Sequence, residues 1–184
     1  LEGAARIELV GDANVLIDIA DANEAILALV AQHLGRVVIP TPVLAEVDGL
    51  DELKCAALGL DVIEPTLDQL REAANPHPAL SFADKICLIV ARDAGATCWT
   101  NDGPLSDECQ ANGVPRMRGL GPLIELVAAG VLAPDIAVGT VDLISANNAY
   151  ITPTIVSEFR RLAADADRQR RTRVQRGRTE SVDR

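Results

Sequence analysis

SFADKICLIVARDAGATCWTND, residues Ser81 to Asp102, carries the pattern that decides the fold. Its apolar residues Ile86, Ile89 and Val90 repeat at helical spacing, which predicts a helix over Phe82 to Ala94. Ser81 and Asp84 form the S-x-x-D signature of an N-terminal capping box, and Gly95 supplies the stop. A short apolar run, Thr97 to Thr100, then reads as a buried strand. A helix followed at once by such a strand is half of a βα unit.

The same alternation extends in both directions. Strands are expected near Ile7 to Gly11, Val37 to Ile39, Asp61 to Ile63 and Val114 to Met117. Helical patterns cover Glu24 to Leu34, Pro42 to Leu50, Leu120 to Ala129, Asp142 to Asn147 and Pro153 to Ala166. Strands separated by helices predict an α/β fold, a three-layer α/β/α sandwich on a central parallel sheet of about five strands, with further helices at the C-terminal end. Aromatic residues are only 2% of the chain, so Leu, Val, Ile and Ala must fill the core, and base-stacking platforms are scarce.

The chain has 184 residues and a formal net charge of −10. The charge is uneven, because Glu158 to Arg184 holds nine arginines against five acids, leaving about −14 for the first 157 residues. Beyond Asp167 hardly any residue can bury apolar surface, so residues 167–184 are expected to form a disordered, Arg-rich tail with sequence-independent phosphate contacts as its candidate role. Residues 5–134 are expected to form the main domain and 135–166 a helical extension. No apolar run approaches the length of a membrane span, and the first residues lack a basic segment followed by an apolar one. A soluble, cytoplasmic protein with no membrane partner is expected. Cys55, Cys87, Cys98 and Cys109 show no zinc-type spacing and read as buried free thiols.

Four acids fall where open α/β sheets bind ligands, beyond the carboxyl ends of the strands at the point where strand order reverses. Asp12 follows the first strand and Asp102 the fourth, so a strand order of 3-2-1-4-5 would bring them together. Glu46 comes from the helix after the second strand and Asp84 from the start of the helix before the fourth. Each has a purely structural reading too: Asp84 as a capping acid, Asp12 as a turn residue, Asp102 as part of an Asn-Asp-Gly turn, Glu46 as one surface acid beside Asp48, Asp51 and Glu52. Together they would repel unless a cation compensates, and an all-oxygen set suits magnesium or manganese. Such a site performs phosphodiester hydrolysis. His33 and His77 lack triad partners. Asp18, Asp21 and Asp107 read as surface acids near the site in sequence.

These residues resemble a PIN domain, the nuclease family that includes VapC-type toxins of toxin–antitoxin pairs. The likeness lies in GDANVLID (Gly11 to Asp18), IPTPVLAEV (Ile39 to Val47), SFADKICLIVARDAGA (Ser81 to Ala96) and CWTNDGPLSDECQANGVP (Cys98 to Pro115). It covers about Ile7 to Leu126, and Ala13 departs from the Ser or Thr common in the family. The segment from Gly130 to Leu162 resembles an added helical pair found in some of its subgroups. The resemblance implies an endoribonuclease acting on RNA, with Asp12, Asp84 and Asp102 holding the metal and Glu46 acting directly or through water. It implies support by hydrogen bonds from Asn14, Thr100 and Asn101, a cognate antitoxin protein as partner, and a homodimer. The alternative expectation is a catalytically weak PIN-fold scaffold or a protein- or RNA-binding module. A phosphoacceptor or nucleotide-binding domain ranks last, because a glycine-rich phosphate loop is missing.

Overall fold

The computed structural model describes residues 7–182, with side chains described for 8–175. Residues 5 and 6 of the expected main domain, and residues 183–184 of the expected tail, lie outside the described residues. The chain divides into two compact units, the first running through Gly119 and the second from Leu120. This division falls ahead of the boundary expected at residue 134.

The first unit is α/β. Strands β1 (Ile7–Gly11), β2 (Gly35–Pro40), β3 (Asp61–Ile63), β4 (Thr97–Trp99) and β5 (Arg116–Met117) form one sheet in the order β3-β2-β1-β4-β5. Every pairing is parallel. The order runs outward from β1 on one side through β2 and β3, and on the other through β4 and β5. Right-handed crossovers in two opposite directions place helices on both faces, which is why the strands are apolar almost without alternation. Leu9 and Val10 in β1, Val37, Val38 and Ile39 in β2, and Cys98 and Trp99 in β4 are all buried.

Helices α1 (Ala13–Asn23), α2 (Ala25–His33), α3 (Thr41–Leu44), α4 (Glu52–Leu58), α5 (Leu67–Ala73), α6 (Phe82–Ala94) and α7 (Gly103–Ala111) complete this unit. α6 buries Ile86, Cys87, Ile89 and Val90, and Gly95, at φ +63°, ends it in the left-handed conformation that glycine adopts without strain. The helix expected over Pro42 to Leu50 is much shorter. α3 stops at Leu44, and turns follow through Gly49, whose φ is +82°. Asp51 then caps α4 by accepting the Lys54 N–H at 2.7 Å. The turn formers Asp48 and Gly49 break the helix while letting Val47 and Leu50 reach the core.

The second unit packs α8 (Gly121–Ala129), α9 (Pro134–Asn147) and α10 (Pro153–Val182) around Leu123, Leu126, Val127, Val141, Ile144, Phe159 and Ala163. α9 begins at Pro134, earlier than expected, since Ala137 and Val141 already belong to its buried face. The predicted disorder after Asp167 is corrected by the structure, which continues α10 to Val182. Arginine and glutamine are good helix formers even without burial. Ion pairs one turn apart add to this: Asp165 meets Arg161 and Arg168, and Asp167 meets Arg170 and Arg171. Among the described residues, no helix is long and apolar enough to cross a membrane.

Leu9 is fully buried in the central strand. Leu9→Ala is expected to lower unfolding stability by about 2–5 kcal/mol, measured by urea denaturation of the full chain.

Candidate active site

The site begins with the pairing of β1 and β4. Gly11 lies opposite Trp99, and Asp12 extends the ladder by one step, donating its N–H to the Trp99 carbonyl at 3.0 Å. Asp12 is also the first residue of the turn into α1, so its carboxylate is held at the carboxyl edge of the sheet. Directly across, the Thr100 hydroxyl donates to Asp12 Oδ2 at 2.8 Å and accepts the Asp102 N–H at 2.9 Å. One hydroxyl thus ties both acids to the end of β4.

Asp102 caps α7, its Oδ1 accepting the Leu105 N–H at 2.7 Å. Asp84 forms the reciprocal capping box of α6. Its Oδ2 accepts the Ser81 N–H at 2.8 Å while the Ser81 hydroxyl accepts the Asp84 N–H at 3.1 Å. Each of these two acids commits one oxygen to a helix start. Glu46 follows α3, with its N–H on the Val43 carbonyl and its side chain exposed.

The four carboxylates share one electrostatic field. Asp12 is only 2% exposed, and its pKa is pushed up to about 6. Loss of hydration is the largest cause; the Thr100 hydrogen bond opposes it, and the charges of Asp84 and Asp102 add to it. Glu46 is raised as well, by lost hydration and then by Asp84. Beneath them the buried Cys87 thiol donates to the Gly11 carbonyl at 3.3 Å, and burial together with Asp12 and Asp84 drives its pKa upward.

The remaining expected residues are placed differently. Asn14 lies exposed in the first turn of α1, and its side chain makes no hydrogen bond. Asn101 serves the backbone, its Oδ1 accepting the Gly119 N–H at 2.9 Å. His33 is exposed at the end of α2. His77 organises the loop before α6, its Nδ1 accepting from Ala79 and Leu80, with Glu108 at 3.4 Å from Nε2. Asp21 and Asp107 are exposed and Asp18 is half-buried. All four cysteines are free and buried. Trp99, expected in the core or rim of the fourth strand, is fully buried, and its indole donates to the Gly119 carbonyl at 3.0 Å, pinning the chain after β5 to β4.

Among the described residues, no three His, Cys, Asp or Glu side chains converge tightly enough to hold an ion between them. The donor set still fits a hard divalent cation in its chemistry. It is entirely oxygen, it carries mutual repulsion that a cation would relieve, and Asp84 and Asp102 each retain one uncommitted oxygen. No family model matches the chain, and no curated protein matches it in sequence.

The raised pKa of Asp12 makes stability pH-dependent. The unfolded carboxyl, near 3.8, ionises first while the folded one keeps its proton to about 6. Stability from this group is therefore full below about pH 4 and falls as pH rises toward 6. In metal-free buffer at pH 7.5, Asp12→Asn is expected to be more stable than the parent by on the order of 2 kcal/mol in urea denaturation. The gain should vanish near pH 4.

Proposed function

We propose that this chain is a divalent-metal-dependent endoribonuclease of the PIN kind, hydrolysing RNA phosphodiester bonds. The observation that carries the reading is the Asp12–Thr100–Asp102 bridge at the β1/β4 edge, with the charges of Asp84 and Glu46 acting at the same place. A buried, unneutralised acid is an expensive thing to keep in a core, and groups so perturbed concentrate at functional sites.

In this reading Asp12, Asp84 and Asp102 hold magnesium or manganese, and Glu46 acts directly or through water. The ion, when bound, supplies activation of water and compensation of phosphate charge. The chain's own contribution is orientation. Thr100 fixes Asp12 Oδ2, and the two capping bonds fix the carboxylates of Asp84 and Asp102, leaving their second oxygens for the ion. Asp12 must lose its proton to serve, so metal binding is expected to strengthen as pH rises through about 6. A neutralising antitoxin and a homodimer complete the proposal as the PIN resemblance suggests them, in the cytoplasmic setting expected from the sequence.

The test is cleavage of defined single-stranded RNAs with magnesium or with chelator. Activity is expected only with the metal, falling at least about 100-fold in Asp12→Asn and Asp84→Asn, and about 10- to 100-fold in Thr100→Val. Metal-independent cleavage, or full activity in both acid variants, would overturn the mechanism. RNA binding without any cleavage would favour the scaffold or binding-module reading instead.

A further inference from the structure

The first unit is strongly acidic, yet the reading above asks it to hold a polyanion. β5 and the residues after it are stapled to the strand that carries Thr100. Cys98 pairs with Arg116 and Trp99 with Met117, and the Thr100 N–H donates to the Met117 carbonyl at 3.1 Å. One residue further on, Gly119 is held twice, its carbonyl by the Trp99 indole and its N–H by Asn101 Oδ1. The fit is close enough that a Cβ on Gly119 would lie 2.3 Å from Asn101 Nδ2.

Arg118 stands between these two fixed residues, at the same carboxyl edge of the sheet as Thr100 and Asp102. Its side chain is exposed and has no hydrogen bond or ion pair. The other described arginines and lysines of this unit are all engaged. Arg36, Lys54, Arg71 and Arg92 pair with carboxylates, Lys85 donates to the Asn75 carbonyl and Arg116 to Ser106. Arg118 is thus the one arginine or lysine without a partner among the described residues of the first unit. Its backbone is anchored on both sides, so binding an anion orders only the side chain.

We propose that Arg118 grips a phosphate of the RNA strand next to the one engaged at the carboxylates, a role that rests on the nuclease reading. A guanidinium presents a planar fork of N–H donors that matches two phosphate oxygens, and it stays charged at any working pH. A cation at the same sheet edge as the carboxylates also offsets the field that repels the approaching strand. Such a contact reads backbone and not base, so it acts on RNAs of any sequence.

The experiment measures binding of a fluorescein-labelled, mixed-sequence single-stranded RNA by anisotropy, with magnesium present, to full-length Asp12→Asn and to Asp12→Asn/Arg118→Ala. The second protein is expected to bind about tenfold more weakly, and its log–log salt slope should be shallower by about 0.7. In the active chain, Arg118→Ala should raise KM with kcat little changed, and Arg118→Lys should recover part of the loss. The unfolding midpoint should not move, since the side chain has no partner to lose. Unchanged affinity, slope and KM in a chain that cleaves RNA would overturn the role of Arg118 and leave the nuclease reading standing. A higher KM accompanied by a lowered unfolding midpoint would also overturn it, marking a structural effect. If the unsubstituted chain neither binds nor cleaves RNA, the nuclease reading fails and takes this role with it.

Discussion

The hydroxyl of Thr100 has one proton to give and lone pairs to receive, and the candidate site depends on where they go. The proton goes to Asp12, and a lone pair takes the Asp102 N–H. The second contact is local, but the first exists only because β1 and β4 are neighbours in the register that sets Gly11 opposite Trp99. A different strand order would part Asp12 from Thr100 altogether. The reversal of strand order at β1 is therefore what makes the site. Threonine suits this place twice, since its branched side chain favours extended backbone and its hydroxyl bonds in both directions.

The same arrangement works against the stability of the metal-free protein. Asp12 is buried away from water, while the charges of Asp84 and Asp102 acting on it are of the same sign. A hydrogen bond from Thr100 recovers only part of that loss. Elsewhere in the first unit the core is apolar, and side chains cap α4, α5, α6 and α7. A local violation inside an otherwise consistent fold is the usual mark of selection for something other than stability.

How much of this was legible in the sequence follows from what each element depends on. The strands and α6 stood out because their signals are local: short apolar runs, a capping box and a terminal glycine. α1 hid behind the acid it follows, although Val15, Leu16 and Ile19 carry a helical period. α4 and α5 are seven residues each, too short for periodicity to separate from a loop, despite the caps at Asp51 and Thr66. α7 buries only Leu105 and Cys109, and Asn-Asp-Gly before it imitates a turn. The C-terminal half of α10 was misjudged because burial was taken as the sole source of order, whereas its residues are good helix formers with pairs one turn apart. At the site, the acids and Thr100 sit at strand ends that sequence can locate. That Asn14 has no partner, that Asn101 holds Gly119, and that Arg118 is free are tertiary facts with no local signature.

The structural and chemical readings of the acids also cease to compete once their oxygens are counted. A carboxylate has two oxygens, and a helix cap uses one. In Asp84 the capping box takes Oδ2, and in Asp102 the Leu105 N–H takes Oδ1. Each bond freezes the side chain's rotation and keeps its charge in place, so an ion binding the remaining oxygen would lose little conformational entropy on arrival. A surface acid with both oxygens free would have to be ordered by the ion itself. Capping is thus a way of presenting a carboxylate, and finding Asp84 and Asp102 as caps strengthens the case for a prepared site.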